Sequence, residues 1–221
     1  MKLSQLKIDP EFQSKIPPLQ FEEEQQLEQN IIAEGRLLNP IITWNGYILD
    51  GHTRYRILKK HGFIKFEVEE IQLANKYEAL AWICKNQLGR RNLSPGRKKF
   101  LLGKEYESTK LAVGGQPGNC NKVNRCDQND HIDSEKRTCE RIAVEHGVGS
   151  ATVRRAEKYS RGIDAAEEAV PGAQEEILTG HIKATDEQIV ALASIPKEER
   201  PAILEELKKK KSDRDDTSSN A

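Results

Sequence analysis

Asp50-Gly51-His52-Thr53-Arg54-Tyr55-Arg56 sets a carboxylate, an imidazole, a hydroxyl and two guanidinium groups within seven consecutive residues. The run lies where strand-formers give way to helical spacing. The first free N–H groups of a helix and the positive end of its dipole favour an anion there. Arg54 and Arg56 can add forked donors to phosphate, so Gly51, His52, Thr53, Arg54 and Arg56 form a candidate phosphate-binding corner. A second chemistry uses Asp50 or His52 as general base or metal ligand, with Glu34 as a further carboxylate. The plain alternative is a structural turn whose arginines face water.

The flanking residues define the elements that hold this corner. Asn45-Gly46 favours a two-residue hairpin turn, and Ile41, Ile42, Tyr47, Ile48 and Leu49 flank it as strand-formers. Tyr55, Ile57 and Leu58 then predict a helix, with Gly62 as its C-terminal cap. Upstream, residues 19–35 read as a helix with Leu27, Ile31 and Ile32 inward, ended by Gly35 before the Asn39-Pro40 break. Downstream come a strand over 65–71 and a helix from Asn75, with Glu78 completing a capping box.

Three blocks carry a resemblance to the ParB/sulfiredoxin superfamily, specifically the N-terminal domain of ParB-like proteins. They are Pro17-Pro18-Leu19 with Gly35-Arg36-Leu37-Leu38-Asn39-Pro40-Ile41, then Asp50 to Arg56, then Asn86-Gln87-Leu88-Gly89-Arg90-Arg91-Asn92-Leu93-Ser94-Pro95. The resemblance implies an α+β domain over residues 1–93. It adds Asn86, Arg90 and Arg91 to the nucleotide-binding set, with CTP or another nucleotide and Mg2+ as ligand. Sulfiredoxins place cysteine after the corner glycine, and His52 stands here, which argues against sulfur chemistry. Asn39-Pro40-Ile41 replaces the Gln-Pro-Arg element of CTP-binding relatives, and Lys85 and Asn86 offer no metal-binding glutamate, so hydrolysis is not expected. Relatives that are nucleases or kinases of a free amino acid share an Asp-Gly-His corner, which keeps the enzymatic reading of Asp50 and His52 open.

Formal net charge is zero over 221 residues, but its distribution is uneven. Residues 1–84 carry a net of −2, residues 85–160 a net of +7 and residues 161–221 a net of −5. A basic segment of this kind suits double-stranded DNA, where each neutralised phosphate releases a counterion. Arg90, Arg91, Arg97, Lys98 and Lys99 crowd the start of a helix over 94–112, capped by Ser94 with Pro95 in its first turn; the alternative is a solvated face.

Residues 113–136 have almost no large apolar side chain and read as a flexible polar loop. Cys120, Cys126, His131 and Cys139 lack the short paired spacing of zinc modules, so no metal site is assigned. Free thiols, no signal peptide and no apolar run near 18 residues point to a reducing, cytoplasmic setting away from membranes.

A helical domain is expected over 137–210, with helix-turn-helix spacing in 139–159. Ala143 lets the helices approach, Gly147 makes the left-handed turn, Val153 and Ala156 pack back, and Ile142, Val144 and Val148 supply further apolar contact. Ser150 is read as the cap of the second helix, leaving Ser150, Thr152, Arg154, Arg155 and Lys158 for DNA. Short helices follow Gly162, over 171–179 and 185–193, then one over 197–210 with Ile203, Leu204 and Leu207 inward, before a disordered tail over 211–221. Chromosomal ParB proteins end in a dimerisation domain that the remaining residues are too few to build. Self-association is therefore expected through the N-terminal domain or the short helices, and a plasmid, phage or other mobile element is the expected setting. A DNA-binding transcriptional regulator without nucleotide binding remains the third reading.

Overall fold

The computed structural model describes residues 2–90, 92–113 and 138–215, and the chain divides into two compact units, Met1–Gln87 and Leu88–Ala221. In the first unit a 3-10 turn, Leu3–Gln5, precedes α1 (Pro10–Ser14), α2 (Phe21–Glu34), β1 (Ile41–Trp44), β2 (Tyr47–Asp50), α3 (His52–Lys60), β3 (Val68–Glu70) and α4 (Lys76–Leu88). The hairpin forms as its turn residues require, with Asn45 at φ 49° and Gly46 at φ 76°. β1 is central, antiparallel to β2 and parallel to β3. On β2, Ile48 and Leu49 are both fully buried but belong to different cores, because successive strand side chains point to opposite faces. Ile48 joins Ile31, Ile41, Ile57 and Leu58. Leu49 joins Phe12, Ala79, Leu80 and Ile83. The sheet is thus packed on both faces, and the β2–α3 corner leaves its end.

Element boundaries depart from expectation in two places. α3 ends at Lys60 with His61 as its C-cap, whose ring meets Glu28 at 2.7 Å, and Gly62 does not take the left-handed cap conformation. The strand expected over 65–71 shortens to Val68–Glu70, because Lys65 is held by residues of the α2 exit, donating to the Gly35 carbonyl and accepting from Leu37 N. At α4, Asn75 Oδ1 accepts from Tyr77 N and Glu78 N, while the Glu78 carboxylate reaches back to Ala74 N. Ile32, expected inward, is 39% exposed.

The second unit is helical: α5 (Pro95–Ala112), α6 (Thr138–His146), α7 (Ser150–Ala169), α8 (Ala173–Leu178), α9 (Asp186–Leu192) and α10 (Arg200–Asp215). α7 is its hub, packing against α5, α6, α8, α9 and α10. The helix expected to connect two domains is instead a core element. A Cβ on Gly103 of α5 would stand 2.2 Å from the Ala156 carbonyl oxygen, so only glycine admits that crossing. Gly162, after which short helices were expected, lies inside α7 for the same reason: a Cβ there would meet the Ile189 carbonyl oxygen at 2.0 Å. Thr185 caps α9 in a capping box with Gln188, as its sequence predicts. The tail expected from residue 211 continues as α10 to Asp215. Cys84 and Cys139 are buried, whereas Cys120, Cys126, His131 and the polar loop lie outside the described residues, apart from Val113, the C-cap of α5. No helix among the described residues is long and apolar enough to cross a membrane.

Candidate anion corner and nucleic-acid interface

Gly51 enters α3 at φ 102°, a conformation that suits glycine. Arg54 folds back over it: a Cβ at Gly51 would lie 3.2 Å from Arg54 Nη2. The guanidinium then binds the fold itself. Nη1 donates to the carbonyls of Asn39 and Pro40, both at 2.9 Å, and Nη2 pairs with Asp50 Oδ2 at 2.5 Å. Arg54 therefore fixes the strand-to-helix corner against the Asn39-Pro40 bend, and its fork does not stand open for phosphate as the sequence suggested. Arg56 is the more accessible cation, its side chain 51% exposed and 3.1 Å from Glu24 Oε2. Thr53 is half-buried beside it, its Oγ1 3.5 Å from Arg56 Nη2.

His52, the first residue of α3, is 6% exposed, and neither ring nitrogen has a hydrogen-bond partner among the described residues. Burial drives its pKa down to about 4, with Asp50 opposing and Arg56 assisting. The ring is neutral at neutral pH and closed to solvent, which makes it a poor general base. Asp50 is engaged by Arg54. Glu34 does not complete a triad. The pairs Arg56–Glu24 and Lys60–Glu28 share one spacing, so α2 and α3 run in the same direction. Glu34 then lies about 9 Å beyond Glu28, toward the far end of α3 from His52. Asn86 is exposed on the last turn of α4, Arg90 is exposed in the second unit, and Arg91 lies outside the described residues. Glu24 and the carbonyls of residues 39 and 40, which sequence reasoning missed, are the actual partners of the two arginines. The Asn39-Pro40 break was the only available signal.

In the second unit Gly147 takes φ 64° and Val148 N donates to the Ala143 carbonyl at 2.9 Å, closing α6 before α7 begins. Ile142, Ala143, Val153 and Ala156 are buried between the helices. Val144 is not: it is 84% exposed, and Val148 is at the surface too. Ser150 is the first residue of α7, half-buried, and the N-cap is Gly149, whose carbonyl accepts from Thr152 N and Val153 N. Thr152, Arg154, Arg155 and Lys158 are exposed, and the three cations carry no ion pair among the described residues. At about 100° per residue they share one arc of α7, opposite buried Val153, Ala156 and Ser160. Glu157 sits on the inner side, neutralised by Lys110 at 2.5 Å and Arg161 at 2.7 Å. By contrast Arg97 and Lys99, expected among the surface cations, are committed within the unit to Glu175 and Asp186.

No family model matches the chain, and no curated protein does. Solved structures do. A pNOB8-like ParB-N domain aligns over 86% of this chain and 76% of its own at TM-score 0.51 and 18% identity. A second structure of that N-domain gives 0.49 and 16%, over 86% and 71%. The C-terminally truncated chromosome-partitioning protein ParB from Caulobacter crescentus, complexed to the centromeric parS site, gives 0.39 and 16%, over 93% and 94%. At such identities the likeness is one of architecture, and on the first of these alignments the chain has a ParB-N-like fold.

Proposed function

We propose that this chain is a ParB-like DNA-binding protein in which α6, the Gly147 turn and α7 act as a helix-turn-helix. The observation that carries this reading is the outer arc of α7, where Arg154, Arg155 and Lys158 stand exposed without carboxylate partners among the described residues. Ser150 and Thr152 lie at the leading end of the same helix, the end that enters the major groove in this motif. Arginine forks suit guanine edges and phosphates alike. The ParB-N-like fold supports a role in DNA partition. A gel-shift titration of wild type against Arg154→Ala/Arg155→Ala tests it. Loss of two such contacts weakens binding by about 100-fold or more, and unchanged affinity removes α7 from the interface.

The β2–α3 corner is proposed to take a nucleotide phosphate, of CTP type with Mg2+, on the free N–H groups of α3 beside Arg56. Gly51 in the left-handed conformation and the exposure of Arg56 support it. The commitment of Arg54 to Asp50 and two carbonyls favours a second reading, a DNA-binding regulator that binds no nucleotide. Calorimetric titration with the four ribonucleoside triphosphates, with and without Mg2+ and DNA, separates the two: heat with one triphosphate supports the switch, and silence with all four leaves the regulator. Catalysis at Asp50 and His52 is not part of the proposal.

A further inference from the structure

We propose that Glu105, Glu145 and His146 form a site for a divalent transition-metal ion of the zinc class, which ties α6 to α5. The three residues offer ligand atoms that all lie within 4.8 Å of one another. His146 Nε2 and Glu105 Oε2 are 2.8 Å apart. Bonds of about 2.1 Å meeting at the tetrahedral angle set neighbouring ligand atoms about 3.4 Å apart, so this pair would open by roughly half an ångström and turn toward a shared ion. An imidazole with two carboxylates is a donor set for zinc, cobalt or nickel. Magnesium and calcium take oxygen ligands alone.

Burial grades across the three residues. Glu105 is 3% exposed on the inner face of α5, two residues from the Gly103 crossing. His146 is half-buried as the last residue of α6, and Glu145 faces solvent. An ion could thus enter from the surface, keep water in its remaining positions and still grip a buried ligand. A divalent charge satisfies two carboxylates while leaving the imidazole neutral, as ligation requires. The consequence lies one residue on. His146 precedes Gly147, the turn that aims α7, so the ion would hold the end of α6 and with it the direction of the helix carrying Arg154 and Arg155. The three positions are separated by 40 residues of chain, Glu105 to Glu145, and no short spacing announces them.

The test uses the full chain with Zn2+ in calorimetry and Co2+ in visible absorption. Wild type should bind one ion, with cobalt bands that lack a thiolate charge-transfer component. Glu145→Gln leaves the Glu105–His146 pair in place, and its Zn2+ affinity should fall about tenfold or more. His146→Gln should lose binding altogether. Equal Zn2+ affinity in Glu145→Gln and wild type, a thiolate band, or no binding at millimolar Zn2+ would each overturn the site and leave an ordinary ion pair beside an exposed glutamate. DNA affinity measured in the same variants without metal keeps this result separate from the fate of the DNA-binding reading.

Discussion

Arg54 and Arg155 have the same side chain and opposite situations. Arg54 sits where a helix begins, in a motif that suggests phosphate, yet three of its hydrogen bonds go to Asn39, Pro40 and Asp50 and its side chain is 17% exposed. Arg155 sits mid-helix with no ion pair among the described residues, facing out. An arginine can recognise a ligand only with donors that the fold has not already used. The corner is therefore a place where cationic chemistry builds structure, and α7 is a place where structure presents cationic chemistry.

The contrast is broken most severely at Arg54. Removing its guanidinium takes one partner from the Asp50 carboxylate and the donor from two carbonyls, a loss of about 2 kcal/mol in folding stability. Urea denaturation of Arg54→Ala should show it as a lower midpoint. Arg54→Lys should recover only part, because one ammonium cannot span three acceptors. If Arg54→Ala unfolds at the wild-type midpoint but fails to bind anions, the two arginines have been assigned the wrong way round.

His52 gives the next effect, and it depends on pH. Its folded pKa of about 4 lies below the ordinary value of 6.5, so the unfolded chain takes up the proton first. The stability is fully present above pH 6.5 and is lost as pH falls toward 4, by up to about 3 kcal/mol at 1.36 kcal/mol per unit. Denaturation at pH 7 and pH 4.5 should show a smaller acid loss in His52→Leu than in wild type. An identical loss in both proteins would mean that the ring is not held neutral in the folded state.

Sequence made the local geometry of both regions legible, because turns and caps are decided by neighbouring residues. Asn45-Gly46, Gly35, Gly147 and the Thr185–Gln188 box each stand where their chemistry requires. What escaped were partnerships across the fold. Glu24 for Arg56, the residue 39 and 40 carbonyls for Arg54, and Glu175 for Arg97 are distant in sequence. The role of Gly162 escaped for a related reason: glycine ends helices by taking positive φ, but it also allows close crossings, and only the position of Ile189 shows that the chain uses it for a crossing. Val144 misled because helical spacing places a residue on a face without saying whether a partner covers that face.

The smallest effect on stability should come from the residues with the largest effect on binding. Arg154 and Arg155 are exposed and bear no ion pair among the described residues, so replacing both with alanine should change folding stability by no more than about 0.5 kcal/mol each. Their contribution should appear in the salt dependence of DNA affinity instead. Each phosphate contact contributes a slope of about 0.9 to log K against log salt, so a residue that contacts phosphate lowers the slope by that amount when removed, evenly across sequences. A residue that reads a guanine edge leaves the slope nearly intact and relaxes preference at one base pair, by about 1–3 kcal/mol. Measuring Arg154→Ala and Arg155→Ala singly, at several salt concentrations and on two DNA sequences, assigns each arginine to one role. A large stability loss with no change in slope or preference would make α7 another Arg54, its cations part of the scaffold.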